Sequence, residues 1–213
     1  MSDNPYGVIV PKRSASLEPG RAYHDIPGVK GPTHRGGSAK RAEQINSVFS
    51  VDKKTGFDFG CSVGGVSFGL AQLGATMHGF DTDESSIQVG QQHAKESNAS
   101  VILAYADLSD KATVDSILVP GMYDFGIWLA NWMWIAADSG VDYAKKMLKQ
   151  VSETVPVLFF ETAQAGGSQA GNHGMNTPAD VERLLRENTV YKNVQDLGPS
   201  ADGWMARNTF MCS

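Results

Sequence analysis

Asp58, Gly60, Ser62 and Gly64 fall at alternate positions within Phe57–Gly65. A buried strand ending this way turns sharply into a helix, and glycine lets the turn adopt positive φ and leaves bare backbone for a ligand to lie against. The helix that follows directs its open N–H groups at the same place. Asp81 closes the run Gly79-Phe80-Asp81, about 20 residues beyond Gly60, the spacing of a carboxylate that accepts ribose hydroxyls in nucleoside-binding folds. These two signals point to an adenosine-containing cofactor. A dinucleotide is disfavoured, because Gly60, Gly64, Gly65 and Gly69 do not fit G-x-G-x-x-G.

Other reactive side chains gather where further strands should end. Asp107-Leu108 follows one apolar run, Asn131-Trp132-Met133-Trp134 follows another, and Glu161 closes a third. In an open parallel sheet, ligands bind beyond the carboxyl ends of the strands, so these positions converge with Asp58–Gly64 and Asp81. If the reaction needs a base, His34, Glu161 and His173 are the candidates, ahead of His24 and His78. Against this stands the plainer role of each type: a lone histidine is more often structural, and an Asp in a turn often serves only the backbone. The histidines form no H-x-x-x-H pair and Cys61 and Cys212 no metal-spaced pair, so no metal is expected.

The elements that must position these residues alternate from Thr55 onward. Strands are expected over Gly56–Phe59, Thr76–Asp81, Val101–Tyr105, Tyr123–Leu129 and Val155–Glu161, the third buried on both faces. A first helix carries Val66, Leu70 and Leu73 on one face and stops at Gly74. Others run from Asp83 or Glu84 to Ser97, over Lys111–Val119, over Asp142–Val151, and from Pro178 under a Thr177 cap. Val190–Leu197 and Trp204–Cys212 read as a closing antiparallel pair, and the Gly-rich stretch Thr162–Thr177 as a long loop within which Gly166–Asn176 is a candidate lid. Upstream, a helix from Ser38 to Phe49 places Ile45, Val48 and Phe49 on one face, preceded by an irregular lead-in. Residues 1–20 read as a disordered or extended arm, 21–52 as a cofactor-covering segment, and 53–213 as the cofactor-binding domain. Periodicity alone gives a doubly wound α/β chain.

The stretch Asp58-x-Gly60-x-Ser62-x-Gly64 resembles motif I of the class I S-adenosylmethionine-dependent methyltransferases, an acidic-x-Gly-x-Gly-x-Gly pattern in which Ser62 replaces the middle glycine. Tyr23-His24-Asp25-Ile26, Gly31, Arg35 and Arg41 resemble the lead-in of one subgroup, which contains the tRNA wobble-uridine carboxymethyl-transferring and polysaccharide-end methyltransferases. The resemblance implies a three-layer α/β sandwich around a mostly parallel seven-stranded sheet, order 3-2-1-4-5-7-6 with strand 7 antiparallel. It implies S-adenosylmethionine as cofactor. Asp81 and Thr82 would then hold the ribose, and Asp107 and Leu108 the adenine. Gly60, Cys61, Ser62 and Gly64 would form the wall along the amino-acid end, with Asp58 ordering that loop. Arg41 would fork onto the carboxylate and Tyr23 fold over the methionine end. Asn131 and Trp132 would line the methyl-transfer site, with Trp132 or Trp134 near the sulfonium. The Asn/Asp-Pro-Pro-Tyr/Phe signature of amino-methylating members does not occur at this turn, which points away from adenine or glutamine N-methylation.

The function implied is methyl transfer to a small-molecule or glycan-type acceptor, with O-methylation of a hydroxyl favoured. The composition agrees. A chain of 213 residues with net charge −5 lacks the basic balance of a general nucleic-acid binder. Lys30, Arg35, Lys40 and Arg41 keep RNA as an alternative acceptor, and a non-catalytic S-adenosylmethionine-binding protein is the other alternative. No apolar run reaches the length of a membrane span, and without a secretory leader both cysteines read as reduced thiols in a cytoplasm. The sequence is silent on oligomeric state.

Overall fold

A computed structural model describes residues 22–26, 33–35, 37–164, 170–200 and 207–213. The arm expected over residues 1–20 lies outside them. The chain forms two compact units, residues 1–117 and 118–213. Seven of the described strands form one sheet flanked by helices, and two more form a separate pair.

In the first unit, β1 (Ala22–His24) and β2 (Thr33–Arg35) form a small parallel pair, with Ala22 opposite Thr33 and His24 opposite Arg35. The sequence reading left this lead-in irregular, since three-residue strands carry no periodicity. Helix α1 (Ser38–Val48) follows, then β3 (Thr55–Phe59), α2 (Gly65–Gln72), β4 (Thr76–Asp81), α3 (Glu84–Ser97), β5 (Val101–Tyr105) and α4 (Lys111–Ile117). The buried stripe of α1 is Ser38, Arg41, Ala42 and Ile45, not the expected Ile45, Val48 and Phe49; Val48 is exposed. Strands β3, β4 and β5 are parallel neighbours in register, Asp58 opposite Gly79 and Asp81 opposite Tyr105. Phe57 and Phe59 are wholly buried, as a central strand covered on both faces requires. The same was expected of β5, but β5 is an edge strand and Ile102 on it is exposed.

In the second unit come β6 (Phe125–Leu129), α5 (Trp132–Ser139), α6 (Val141–Thr154), β7 (Leu158–Glu161), α7 (Pro178–Asn188), β8 (Val194–Pro199) and β9 (Asn208–Cys212). Helix α5 replaces what the sequence suggested was a turn. Its run Trp-Met-Trp-Ile-Ala-Ala has no polar face to give a helical rhythm. Helix α7 starts where expected: Thr177 and Asp180 form a reciprocal capping box and Pro178 occupies the first turn. Strand β9 is antiparallel to both β7 and β8. The sheet order is β5-β4-β3-β6-β7-β9-β8, which counts as 3-2-1-4-5-7-6 within the sheet and matches the implied topology. No described helix is long and apolar enough to cross a membrane.

Candidate functional site

The turn after β3 is built by backbone rather than side chains. Gly60 N–H and Cys61 N–H both donate to the Phe80 carbonyl, at 2.8 and 3.2 Å, which ties the loop to the end of β4. Gly64 N–H donates to the Cys61 carbonyl at 2.8 Å. Gly60, Ser62 and Gly64 all have positive φ, of 75°, 52° and 80°. Ser62 therefore occupies the left-handed conformation that suits the glycine it replaces. Gly64 is the N-cap of α2 and supplies no side-chain cap, so the first turn keeps open N–H groups.

Asp81 accepts backbone hydrogen bonds, from Ser62 N–H at Oδ2 over 2.8 Å and from Asp83 N–H at Oδ1 over 2.9 Å. Each oxygen keeps a lone pair for a further donor. Asp81 is not the cap of α3: that role falls to Asp83, which accepts from Ser85 N–H and from the Ser85 and Ser86 hydroxyls. Burial raises the Asp81 pKa, opposed by the Asp83, Ser62 and Thr82 backbone donors. Thr82 itself is exposed.

Asp58 is buried and accepts a hydrogen bond from Ser67 Oγ at 2.7 Å. Burial pushes its carboxyl up to about 7; the Ser67 bond opposes this, Asp81 adds to it, and the Arg41 charge lowers it again. Arg41 is only 4% exposed, so it is not a solvated helix-face cation. Cys61 is buried as well, and burial pushes its thiol up, reinforced by Asp58 and Asp81. Asp107 is exposed and spends Oδ1 on the Ser109 N–H and hydroxyl, at 2.9 and 2.6 Å, while Leu108 is buried. Tyr23 lies in β1 and His34 in β2; their side chains fall outside the described residues.

Sequence reasoning missed two supports. Asp25 Oδ1 accepts from Ser38 N–H at 3.1 Å and so serves the start of α1 from thirteen residues upstream. Ser67, the partner of Asp58, was readable as a lone hydroxyl within the apolar run Val66-Ser67-Phe68.

The second unit holds the remaining candidates. Ala130, just past β6, has φ of 58° and donates its N–H to the Glu161 carbonyl at 3.0 Å. Trp132 is fully buried, with its indole N–H donating to the Ala144 carbonyl at 3.3 Å; it is a core side chain. Glu161 is fully buried and accepts from Thr209 Oγ1 at 2.6 Å. His173 has φ of 48°, sets its ring edge-on to Trp132, and places Nε2 3.1 Å from the Met133 carbonyl. Of the two, only His173 keeps partial exposure. Asn131 Oδ1 and Gln164 Nε2 are buried without a hydrogen-bond partner. His78 lies mid-strand, and burial lowers its pKa.

No family model matches the chain. Among solved structures, monomeric WbdD superposes with a TM-score of 0.71 at 20% identity, covering 92% of this chain and 46% of that one. Magnesium protoporphyrin IX methyltransferase from Synechocystis, solved with bound S-adenosylmethionine, superposes with a TM-score of 0.59 at 19% identity, covering 82% and 76%. The fold is that of the class I methyltransferases. Sequence comparison reaches the same methyltransferases. The O-antigen chain terminator bifunctional methyltransferase/kinase WbdD of Escherichia coli is 26% identical over 135 residues, 63% of this chain. The Synechocystis magnesium-protoporphyrin O-methyltransferase is 39% identical over 72 residues, 34% of this chain. The matches span 18% and 29% of those relatives' lengths.

Proposed function

We propose that the chain is an S-adenosylmethionine-dependent methyltransferase that methylates a hydroxyl of a small-molecule or glycan-type acceptor. The observation that carries this reading is the Asp81 carboxylate, oriented by Ser62 and Asp83 N–H groups beside the positive-φ turn Gly60–Gly64. A ribose diol offers two O–H donors, which the remaining Asp81 lone pairs suit. The free Oδ2 side of Asp107 suits an amino donor such as that of adenine. Asp58, and Arg41 behind it, suit the charged amino-acid end.

Bound there, S-adenosylmethionine supplies a methyl group on a positively charged sulfur, which the acceptor oxygen displaces in line. The chain's own residues position and shield the partners more than they react. Glu161, enclosed and bonded to Thr209, serves the packing of β7 on β9. That leaves His34 and His173 as the candidate proton acceptors. Two buried free thiols, Cys61 and Cys212, support a reducing, cytoplasmic setting. The RNA alternative loses one of its four cations, since Arg41 is buried.

Calorimetric titration tests the reading. S-adenosylmethionine and S-adenosylhomocysteine should bind, and Asp81→Ala should weaken both by about tenfold to a hundredfold, the loss of hydrogen bonds to a charged acceptor. No binding at millimolar ligand would sink it.

A further inference from the structure

The carboxyl ends of β6 and β7 carry two amide side chains with unmet hydrogen-bonding capacity. Gln164 is 3% exposed and its Nε2 has no partner; Asn131 Oδ1 is likewise buried and unpartnered. The two segments run side by side. Leu129 is in register with Glu161, Ala130 N–H donates to the Glu161 carbonyl, and Thr162 Oγ1 approaches Met133 Sδ at 3.9 Å. An orphaned buried amide is costly, and a leucine or methionine in its place would avoid that cost. One of the two atoms donates and the other accepts. A hydroxyl is the small group that does both at one atom. A carboxylate only accepts, and would face Asn131 Oδ1 with like polarity.

A third residue extends the pattern. Trp134 follows Asn131, the N-cap of α5, by three positions in the helix's first turn. Trp134 is 44% exposed while Trp132, Met133 and Ile135 around it are buried. An exposed indole offers a flat apolar face with a polar edge, suited to the C–H face of a sugar ring.

We propose that Asn131 Oδ1 and Gln164 Nε2 grip one hydroxyl of the acceptor while Trp134 carries its ring, which makes the acceptor a sugar unit rather than a carboxylate or a flat aromatic. The assignment rests on the methyltransferase reading above and names the acceptor class for it.

The test uses the full chain saturated with S-adenosylhomocysteine and titrated with methyl glucoside, galactoside and mannoside. Side-chain amide signals are followed by NMR and assigned by their loss in Asn131→Asp and Gln164→Glu. At least one glycoside should shift both amide pairs together with the Trp134 indole signal. Gln164→Met should weaken that glycoside about tenfold, leave S-adenosylhomocysteine affinity unchanged, and keep or raise the melting temperature, because it removes an orphaned donor. Silent amides with all three sugars, while S-adenosylhomocysteine still binds, overturn the assignment alone. Equal shifts with benzoate also overturn it. So does a Gln164→Met chain that melts lower and binds the glycoside as before, since that outcome marks a purely structural glutamine. Loss of S-adenosylhomocysteine binding in the unaltered chain sinks the methyltransferase reading itself.

Discussion

Asp58 titrates near neutrality because the fold buries it at the end of a strand with one hydroxyl partner. Its folded pKa of about 7 lies above the ordinary 3.8, so the folded chain holds a proton that the unfolded chain gives up. The stability this contributes is complete below about pH 4 and is lost as pH rises through about 7. A cationic ligand beside Asp58 favours the ionised form, so binding near pH 7 should release a proton. Calorimetry in buffers of different ionisation enthalpy should show heats that depend on the buffer near pH 7. Buffer-independent heats at pH 7 would remove Asp58 from the neighbourhood of the cation. Ser62 shows how far a single residue was legible. The alternating pattern located the turn, but only the φ of 52° shows that the serine accepts a left-handed backbone there.

The packing of α1 on α2 is set by small residues. A Cβ at Gly69 would lie 2.7 Å from the Ala42 Cβ, and one at Gly65 would meet the Asp25 carbonyl and Ser38 Oγ. Ala42 is wholly buried and cannot yield by rotating a side chain. Gly69→Ala gains roughly 1 kcal/mol of helix propensity but overpacks a tight contact at a cost of about 1–3 kcal/mol. The net should be a lower urea midpoint, partly restored by adding Ala42→Gly. An unchanged midpoint in the single variant would show that the helices part freely. Elements with local punctuation were readable: Asp83 before α3, and Thr177 with Pro178 before α7. Elements that rely on distant partners were not. The Asp25 contact with α1 closes across the lead-in, and α5 lies in an apolar run without periodicity.

At the scale of the molecule, the alternation of strands and helices pointed to a doubly wound sheet. The antiparallel pairing of β9 with β8 was readable as a closing pair, but its place beside β7 came only from the resemblance, because neighbourhood in a sheet depends on which strands meet, not on their composition. In the first unit the Ser62 N–H joins the Gly60–Gly64 turn to Asp81, two features the motif associates. The second unit departs from it. Trp132 proved to be core, and Gln164 went unnoticed because an orphaned amide is visible only once its surroundings are packed.

Cys61 has a use that lies outside catalysis. Its side chain shares with Leu103 the space where a side chain at Gly79 would go, on a turn whose Gly60 and Cys61 N–H groups are bonded to the end of β4. A thiol reagent can reach it only when that turn lifts away, which makes its alkylation rate a clock for local opening. Cys212, buried in β9, keeps time for the other unit. S-adenosylhomocysteine should slow the Cys61 clock in proportion to the ligand's occupancy, as mass spectrometry of timed alkylation would show. An unslowed clock at saturating ligand would mean that the turn opens without letting the nucleoside go.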